Sequence, residues 1–456
     1  MKRMAALPLI RDYQPAAVFA YPAENRGRYT GPIRVDQFLR DVTQLAAMLP
    51  DRRHILNLCA DRYHFTVGFS AALRRKQISL LPPNHTPGLI EQLSGSYPEV
   101  YCLTDAVIEH PALLTLFYPA PAEARLPVPA IPVIPARQTA ALVFTSGSTG
   151  QPVPHAKSWG GLTASAWAEG ERLKVAANPG LAILATVPPQ HMYGLESSVL
   201  IAMQNGLALC AGRPFYPVDI YAALQALPRP RGLVTTPVHL RALLAETADL
   251  PAVDFLLCAT APLSPQLAAE AEARFAAPLH EIYGCTEAGQ VATRRTVESA
   301  CWRAFQGIRL RQDEQGTWAG GGHVESEVLL ADVIELADSA SFLLHGRSAD
   351  LVNVAGKRTS LANLNYHLNS IDGVLDGVFT MPGEENSAVT RLTAFVVAPG
   401  LSRAAIMEAL RRRIDAVFLP RPLCLVESLP RNSTGKLPRQ AVSELLSAVA
   451  TKAEQW

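Results

Sequence analysis

Leu142-Val143-Phe144-Thr145-Ser146-Gly147-Ser148-Thr149-Gly150 is the stretch on which the rest of this chain hangs. The apolar run over 140–144 has the length and content of a buried strand. It breaks into hydroxyl residues interleaved with glycines. Glycine lets the backbone turn its N–H groups inward, and the hydroxyls add donors, so such a loop can hold a polyphosphate. No Gly-x4-Gly-Lys-Ser/Thr spacing fits, so the loop is not the common nucleotide loop. Taken alone, it reads equally well as a flexible Ser/Gly surface loop.

Around that stretch, the bulk of the chain sets limits. At 456 residues it is too long for one ordinary core and predicts at least two domains. Apolar content of 49% with 18% charged residues is that of a globular protein in water. A net charge of +1 argues against bulk attraction to nucleic acid or to an anionic membrane. Seven dispersed cysteines, with no Cys-x-x-Cys pair, read as reduced thiols. The basic start at Met1-Lys2-Arg3-Met4 is followed by an apolar stretch that Pro8 and Arg11 interrupt, which is a poor signal peptide. No apolar run reaches membrane-spanning length. The expected location is the cytoplasm, without stable membrane insertion.

Upstream of the loop, helical and strand patterns alternate. A helix begins at Val35 with Phe38, Leu39, Val42, Leu45 and Leu49 on its apolar face. Strand-like runs at 54–59 and 78–81 flank an apolar helical segment at 65–73, whose Arg74-Arg75-Lys76 end reads as solvated. Thr86-Pro87 has the chemistry of a helix start. This alternation predicts an α/β fold with a mainly parallel sheet covered by helices. The proline-rich stretch 119–137 is expected to be extended, a crossover into the organising strand.

Downstream, further turn-like motifs follow in order. They are Gln190-His191-Met192-Tyr193-Gly194, Ala261-Pro262-Leu263-Ser264, Tyr283-Gly284-Cys285-Thr286-Glu287-Ala288-Gly289, Gly346-Arg347 and Asn432-Ser433-Thr434-Gly435-Lys436. Segments 232–236, 255–260 and 279–283 read as strands feeding such turns, and ligands of open parallel sheets bind beyond the carboxyl ends of their strands. A lone loop histidine, a tyrosine at a strand end or an exposed glutamate has an ordinary structural reading. His191 is then a surface loop residue, Tyr283 core packing and Glu287 a helix start.

Together with the Ser/Gly loop, this ordered set resembles the adenylate-forming superfamily of acyl-CoA synthetases, peptide-synthetase adenylation domains and luciferases, over about residues 30 to 440. The resemblance implies a large N-terminal adenylation domain over 1–346, with mainly parallel sheets covered by helices. A small mobile α+β domain over 347–456 would carry the catalytic lysine. It implies ATP and Mg2+ as cofactors. The ATP site would comprise Thr145, Ser146, Gly147, Ser148, Thr149 and Gly150, with Thr260 and Ala261 flanking adenine and Tyr283 stacking on it. Asp332 would take the ribose hydroxyls, and Arg347 would contact ribose or phosphate. Thr286 would donate to the α-phosphate, Glu287 would hold Mg2+, and Lys436 would steady the charge that grows as a carboxylate attacks the α-phosphate. The acyl pocket would lie near His191, Thr235, Thr260 and Tyr283, and Gly356 would line the tunnel of the accepting thiol.

The implied reaction has two steps, acyl-adenylate formation and then thioester formation. The Gly-Gln-Pro-Val-Pro-His-Ala-Lys-Ser-Trp continuation of the loop looks like ligases of aryl-polyene and xanthomonadin-type pigment clusters. That resemblance points to a hydroxybenzoate-type acid and an acyl carrier protein, or CoA, as acceptor. A fatty or other acyl-CoA synthetase is the alternative within the class. A non-catalytic nucleotide- or acyl-binding module and an ADP-forming phosphotransferase are the alternatives outside it. Two departures stand out. The family's loop lysine is replaced by Val153, with Lys157 four residues on, and Ala349 occupies the family's charged hinge position. Arg411-Arg412-Arg413 is expected on a helix as a solvated face, with a landing site for an acidic carrier protein or CoA phosphates as the sharper reading.

Overall fold

The computed structural model describes residues 5–14, 16–23, 31–107, 113–146, 152–247, 249–347, 351–354, 357–381, 392–431, 437, 441–442 and 444–446. For Ser146, Arg347, Leu351, Asn353, Val354 and Arg358 it describes the backbone alone.

Two large sheets dominate. The first has six strands in the order Pro152–Ser158, Thr139–Ser146, Ile78–Leu81, His54–Asn57, Tyr101–Thr104, Leu114–Phe117. All neighbours run parallel except the edge strand Pro152–Ser158, which folds back antiparallel on Thr139–Ser146. The strand of the organising stretch is therefore one arm of an antiparallel pair. The expected helices and strands of this half are present. Helix Val35–Met48 buries Phe38, Leu39, Val42 and Leu45, and helix Arg62–Arg74 starts where the Asp61 side chain accepts from the Tyr63 and His64 N–H groups. Thr86 does precede helix Pro87–Ser96, but its hydroxyl donates to Asn84 Oδ1 and caps nothing.

The second sheet has eleven strands. Val18–Tyr21, Ala208–Cys210, Ala182–Ala185, Arg231–Thr235, Phe255–Cys258 and Leu279–Cys285 run parallel. Ala182–Ala185, Arg231–Thr235 and Phe255–Cys258 are buried along their whole length, and the first and last read as unbroken apolar runs in the sequence. After Cys285 the sheet changes character. Gly289–Arg294, Trp302–Ala304, Ser341–Arg347 and Asp332–Leu336 join it antiparallel.

The main core lies between the sheets and includes Phe38, Phe65, Phe69, Ile183 and Val199. Arg62 is fully buried there, and its guanidinium donates to the Ala185 and Val187 carbonyls at 2.9 Å each. That bond ties a helix of the first sheet to the end of a strand in the second, just ahead of His191.

The residues from Val352 onward have a core of their own, including Leu364, Leu368, Phe379, Val396, Ile406 and Leu410. Helix Leu361–Asn369 is capped by Ser360, whose Oγ accepts from the Asn363 N–H at 3.1 Å. Helix Arg403–Arg411 buries Ile406 and Leu410 but ends at Arg411. Arg412 and Arg413 therefore lie past the helix, which corrects the expectation that all three arginines sit on it. All three are exposed.

Candidate active site

The carboxyl ends of the parallel strands bring most of the expected turns to one rim. The tightest is Cys285 to Gly289, where the parallel sheet becomes antiparallel. Gly289 has φ +79°, a left-handed conformation that favours glycine. Gly284 is needed for a different reason, since a Cβ there would stand 2.4 Å from the Gly289 carbonyl oxygen. The hairpin presents Thr286 half-buried and Glu287 exposed.

The edge strand Pro152–Ser158 runs alongside this turn. Side chains 153, 155 and 157 share one face, because a strand alternates. Lys157 Nζ donates to the Glu287 carbonyl oxygen at 2.6 Å. His155 Nε2 lies 3.0 Å from Thr145 Oγ1 and 3.7 Å from Glu287 Oε1. Burial lowers the His155 pKa, and Lys157 adds to the effect against the pull of Glu287, which favours the neutral ring. The structure thus joins Thr145 and Glu287 through a histidine that the sequence reading did not single out. Val153 is exposed.

Of the residues expected at the nucleotide, Tyr283 and Asp332 meet directly. The Tyr283 hydroxyl donates to Asp332 Oδ2 at 2.6 Å, and its ring packs edge-on against Phe342 with centroids 5.5 Å apart. Asp332 pairs in register with Arg347 across the antiparallel strands. Thr260 has φ +83°, a left-handed conformation that a β-branched residue adopts only at a cost of about 1–3 kcal/mol. Strain of that kind concentrates in ligand-holding turns, and Thr260 with Ala261 lies half-buried at the end of strand Phe255–Cys258.

His191 follows Pro188-Pro189 and starts a helix that widens into a π-helical turn over Leu195–Leu200. Such turns, with an extra residue, recur at functional sites. The Tyr193 hydroxyl lies 3.1 Å from the Thr235 carbonyl and 3.0 Å from that of Leu257, bridging two strand ends. The Thr235 side chain is fully buried, 3.0 Å from the Thr186 hydroxyl.

Behind this wall lies a polar cluster that the sequence reading missed. Ser165 Oγ donates to Glu196 Oε1 at 2.7 Å, and Gln290 Nε2 donates to Ser197 Oγ at 3.2 Å. Glu169 is fully buried, and neither carboxyl oxygen has a partner in good hydrogen-bond geometry. Burial pushes Glu196 up to about 7, against the pull of Ser165 and Lys157. It pushes Glu169 up to about 8, although the nearby Ser197 and Gln290 side chains draw it down. In a helical pattern such glutamates read as a solvent face, and no local signal reveals their burial.

Gly147, Ser148, Thr149, Gly150, Gly356 and Lys436 lie outside the described residues. Arg431, the last described residue before Lys436, grips Asp376 through two bonds of 2.6 and 2.8 Å. Arg241, on the helix Pro237–Ala245, reaches the same carboxylate at 3.8 Å. Among the described residues, no group of three or more His, Cys, Asp and Glu could hold a metal by itself. An exposed carboxylate beside a hydroxyl suits Mg2+ that arrives with a nucleotide, because Mg2+ takes one or two protein carboxylates and completes its shell with phosphate oxygens and water.

The fold, the strained turn and the rim of hydroxyl and carboxylate groups define a nucleotide-handling α/β enzyme. The chain belongs to the AMP-binding enzyme family, whose pattern matches residues 45–315. It is an adenylate-forming enzyme of the acid–thiol ligase class. It is 28% identical over 326 residues to a 4-coumarate–CoA ligase from Halorhodospira halophila, covering 66% of this chain and 76% of that one. MatB from Rhodopseudomonas palustris, solved with ATP bound, superposes with a TM-score of 0.79 at 16% identity, covering 96% of this chain and 97% of MatB. The o-succinylbenzoate CoA synthetase of Bacillus subtilis, solved with its acyl-adenylate, superposes with a TM-score of 0.76 at 18% identity over 96% and 98% of the two chains. Among the described residues, no helix is long and apolar enough to cross a membrane.

Proposed function

We propose that this enzyme uses ATP and Mg2+ to convert a carboxylic acid to its acyl-adenylate and then passes the acyl group to a thiol. The observation that carries this reading is the convergence of Thr145, His155, Lys157 and Glu287 at the seam of the second sheet, one strand end away from the strained Thr260 turn. In the first step a carboxylate oxygen attacks the α-phosphorus, and the bond to pyrophosphate breaks. Mg2+ held by Glu287 would neutralise charge on the phosphates. Thr286 donates to the α-phosphate, and Lys436 supplies an ammonium to the charge that develops on the phosphoryl oxygens. Loss of such a group costs roughly 10²–10³ in rate. Thr260 and Ala261 flank the adenine, and Tyr283 stacks on it with its hydroxyl held by Asp332. Asp332 and Arg347 take the ribose. In the second step a sulfur attacks the acyl carbon and AMP leaves, with Gly356 beside the thiol. Residues 347–456 form the unit that turns between the two steps.

The acid is an aromatic one of the hydroxybenzoate type, and the acceptor is a phosphopantetheine thiol of an acyl carrier protein or CoA. Similarity to a 4-coumarate–CoA ligase supports an aromatic acid. The buried oxygens of Glu169 and Gln290 Oε1, which have no hydrogen-bond partner among the described residues, support a ring that carries a hydroxyl, because a chain of methylenes would leave them unpaired. The test is acid-dependent ATP–pyrophosphate exchange with hydroxybenzoates, benzoate, cinnamates and medium-chain fatty acids, run beside Lys436→Ala. Exchange with hydroxylated aromatic acids, lost in the variant, is the expected result. Exchange with fatty acids alone refutes the aromatic reading, and exchange with no acid refutes the ligase reading.

A further inference from the structure

The loop of this chain lacks a lysine at position 153, yet the same strand face carries one at 157. Four residues of extended strand separate the two positions by about 13 Å. Lys157 therefore does not stand where an ammonium at 153 would. Its ammonium is instead bonded to the main chain of the turn itself, at the Glu287 carbonyl.

We infer that Lys157 is a positioning residue, holding the Thr286–Glu287 turn so that the Glu287 carboxylate faces the metal-bearing nucleotide. The inference rests on the proposed use of Glu287 as the Mg2+ ligand. Three observations support it. The bond goes to the residue whose side chain would bind the metal, so fixing that carbonyl fixes the carboxylate's starting point. His155, two residues earlier on the same face, abuts the Glu287 carboxylate and Thr145, so the edge strand touches the turn at two points. Finally, Lys157 lines one cleft together with the carboxylates of Glu196, Glu287 and Glu325. A cation among three acids and bonded to a carbonyl has little freedom to leave for a phosphate.

The two possible roles predict opposite signs. As a mere charge near the metal, Lys157 repels Mg2+, and its removal would strengthen metal binding. As the anchor of the turn, its removal weakens binding, because the carboxylate must be ordered anew each time. We expect the second effect to win. The readout is thermal stabilisation by a non-hydrolysable ATP analogue, titrated with Mg2+, on wild type, Lys157→Met and Lys157→Arg. Lys157→Met should raise the Mg2+ concentration for half-maximal stabilisation by about tenfold, and Lys157→Arg, which keeps a charged donor, should recover part of it. In exchange assays the acid KM should stay within about twofold while the Mg2+ requirement rises. A lower ligand-free Tm with an unmoved Mg2+ midpoint would reduce Lys157 to a structural residue and overturn the inference. A fall in that midpoint, or wild type with no Mg2+-dependent stabilisation, would overturn it as well. If Lys157→Met does not fold, Lys157→Gln is titrated in its place against the same criteria. Wild type that binds Mg2+ and nucleotide but exchanges with no acid would sink the ligase reading and leave this inference standing on its own titration.

Discussion

Gly284→Ala puts the Cys285–Gly289 hairpin under a defined load. The added Cβ would lie 2.4 Å from the Gly289 carbonyl oxygen, 3.0 Å from Gln290 Cα and 3.1 Å from the Gly289 carbonyl carbon. All three are backbone atoms, so no side chain can swing aside. Ordinary contact begins near 3.4 Å, and the two strands must part by about 1 Å at this point. Overpacking of this kind costs about 1–3 kcal/mol in stability. The larger effect falls on activity. Thr286 and Glu287 ride on the strand end that has to move, and a 1 Å displacement of positioned groups can cost about 10²-fold in rate. Acid-dependent ATP–pyrophosphate exchange should therefore drop by about two orders of magnitude, with the transition in urea shifted by no more than about 3 kcal/mol. The assay pairs exchange rates with urea denaturation on the same preparations. Full exchange activity in a folded variant would refute the argument that the tightness of this hairpin sets the site. An equal loss from substitution of a glycine with open space around it, such as Gly180→Asn, would refute it too.

Two further predictions follow from the buried charges. Glu169 and Glu196 both titrate above the ordinary glutamate value of 4.5, so the folded state holds protons that the unfolded chain releases, and stability should fall as pH rises from about 4.5 through about 7 to 8. Glu169→Gln removes one of these protons from the balance. In urea unfolding at pH 8 it should be more stable than wild type, an advantage that shrinks by pH 5, and equal stability at both values would count against it. Asp376 bonds Arg431 and lies near Arg241, all three mostly buried. Asp376→Asn should slow adenylation, and a double-mutant cycle with Arg431→Gln should give about 1–3 kcal/mol of coupling in unfolding experiments. Simple additivity would mean that the pair does not hold the chain ahead of Lys436.

How far the fold could be read from sequence depended on how local its pattern is. The strands Ala182–Ala185 and Phe255–Cys258 are buried on both faces and stand out as apolar runs between turn residues. Helix Val35–Met48 shows its period plainly, because one stripe meets the core. The antiparallel half was far less legible. Trp302–Ala304 pairs with Ser341–Arg347, and nothing in either segment names its distant partner. Strand Pro152–Ser158 was hidden by its prolines at 152 and 154, which read as a loop. It is an edge strand, where proline is tolerated, and so His155 went unnoticed. The burial of Glu169 and Glu196 depends on packing across three elements and leaves no trace in periodicity. The site motifs were legible as an ordered set, while the contacts that join them, Tyr283 to Asp332 and Lys157 to Glu287, are products of the tertiary fold.

The seam at Cys285–Gly289 also separates inheritances. On its antiparallel side, Tyr283, Asp332 and the Arg347 backbone form one hydrogen-bonded block with the strands around them. On its other side, the Met192–Asn205 helical wall, with its widened turn, meets that sheet through side chains. On the proposed reading of the site, substitutions in the wall would retune which acid is admitted while the block expected to hold the nucleotide stays untouched. A lineage could drift among acids and keep a single way of spending ATP.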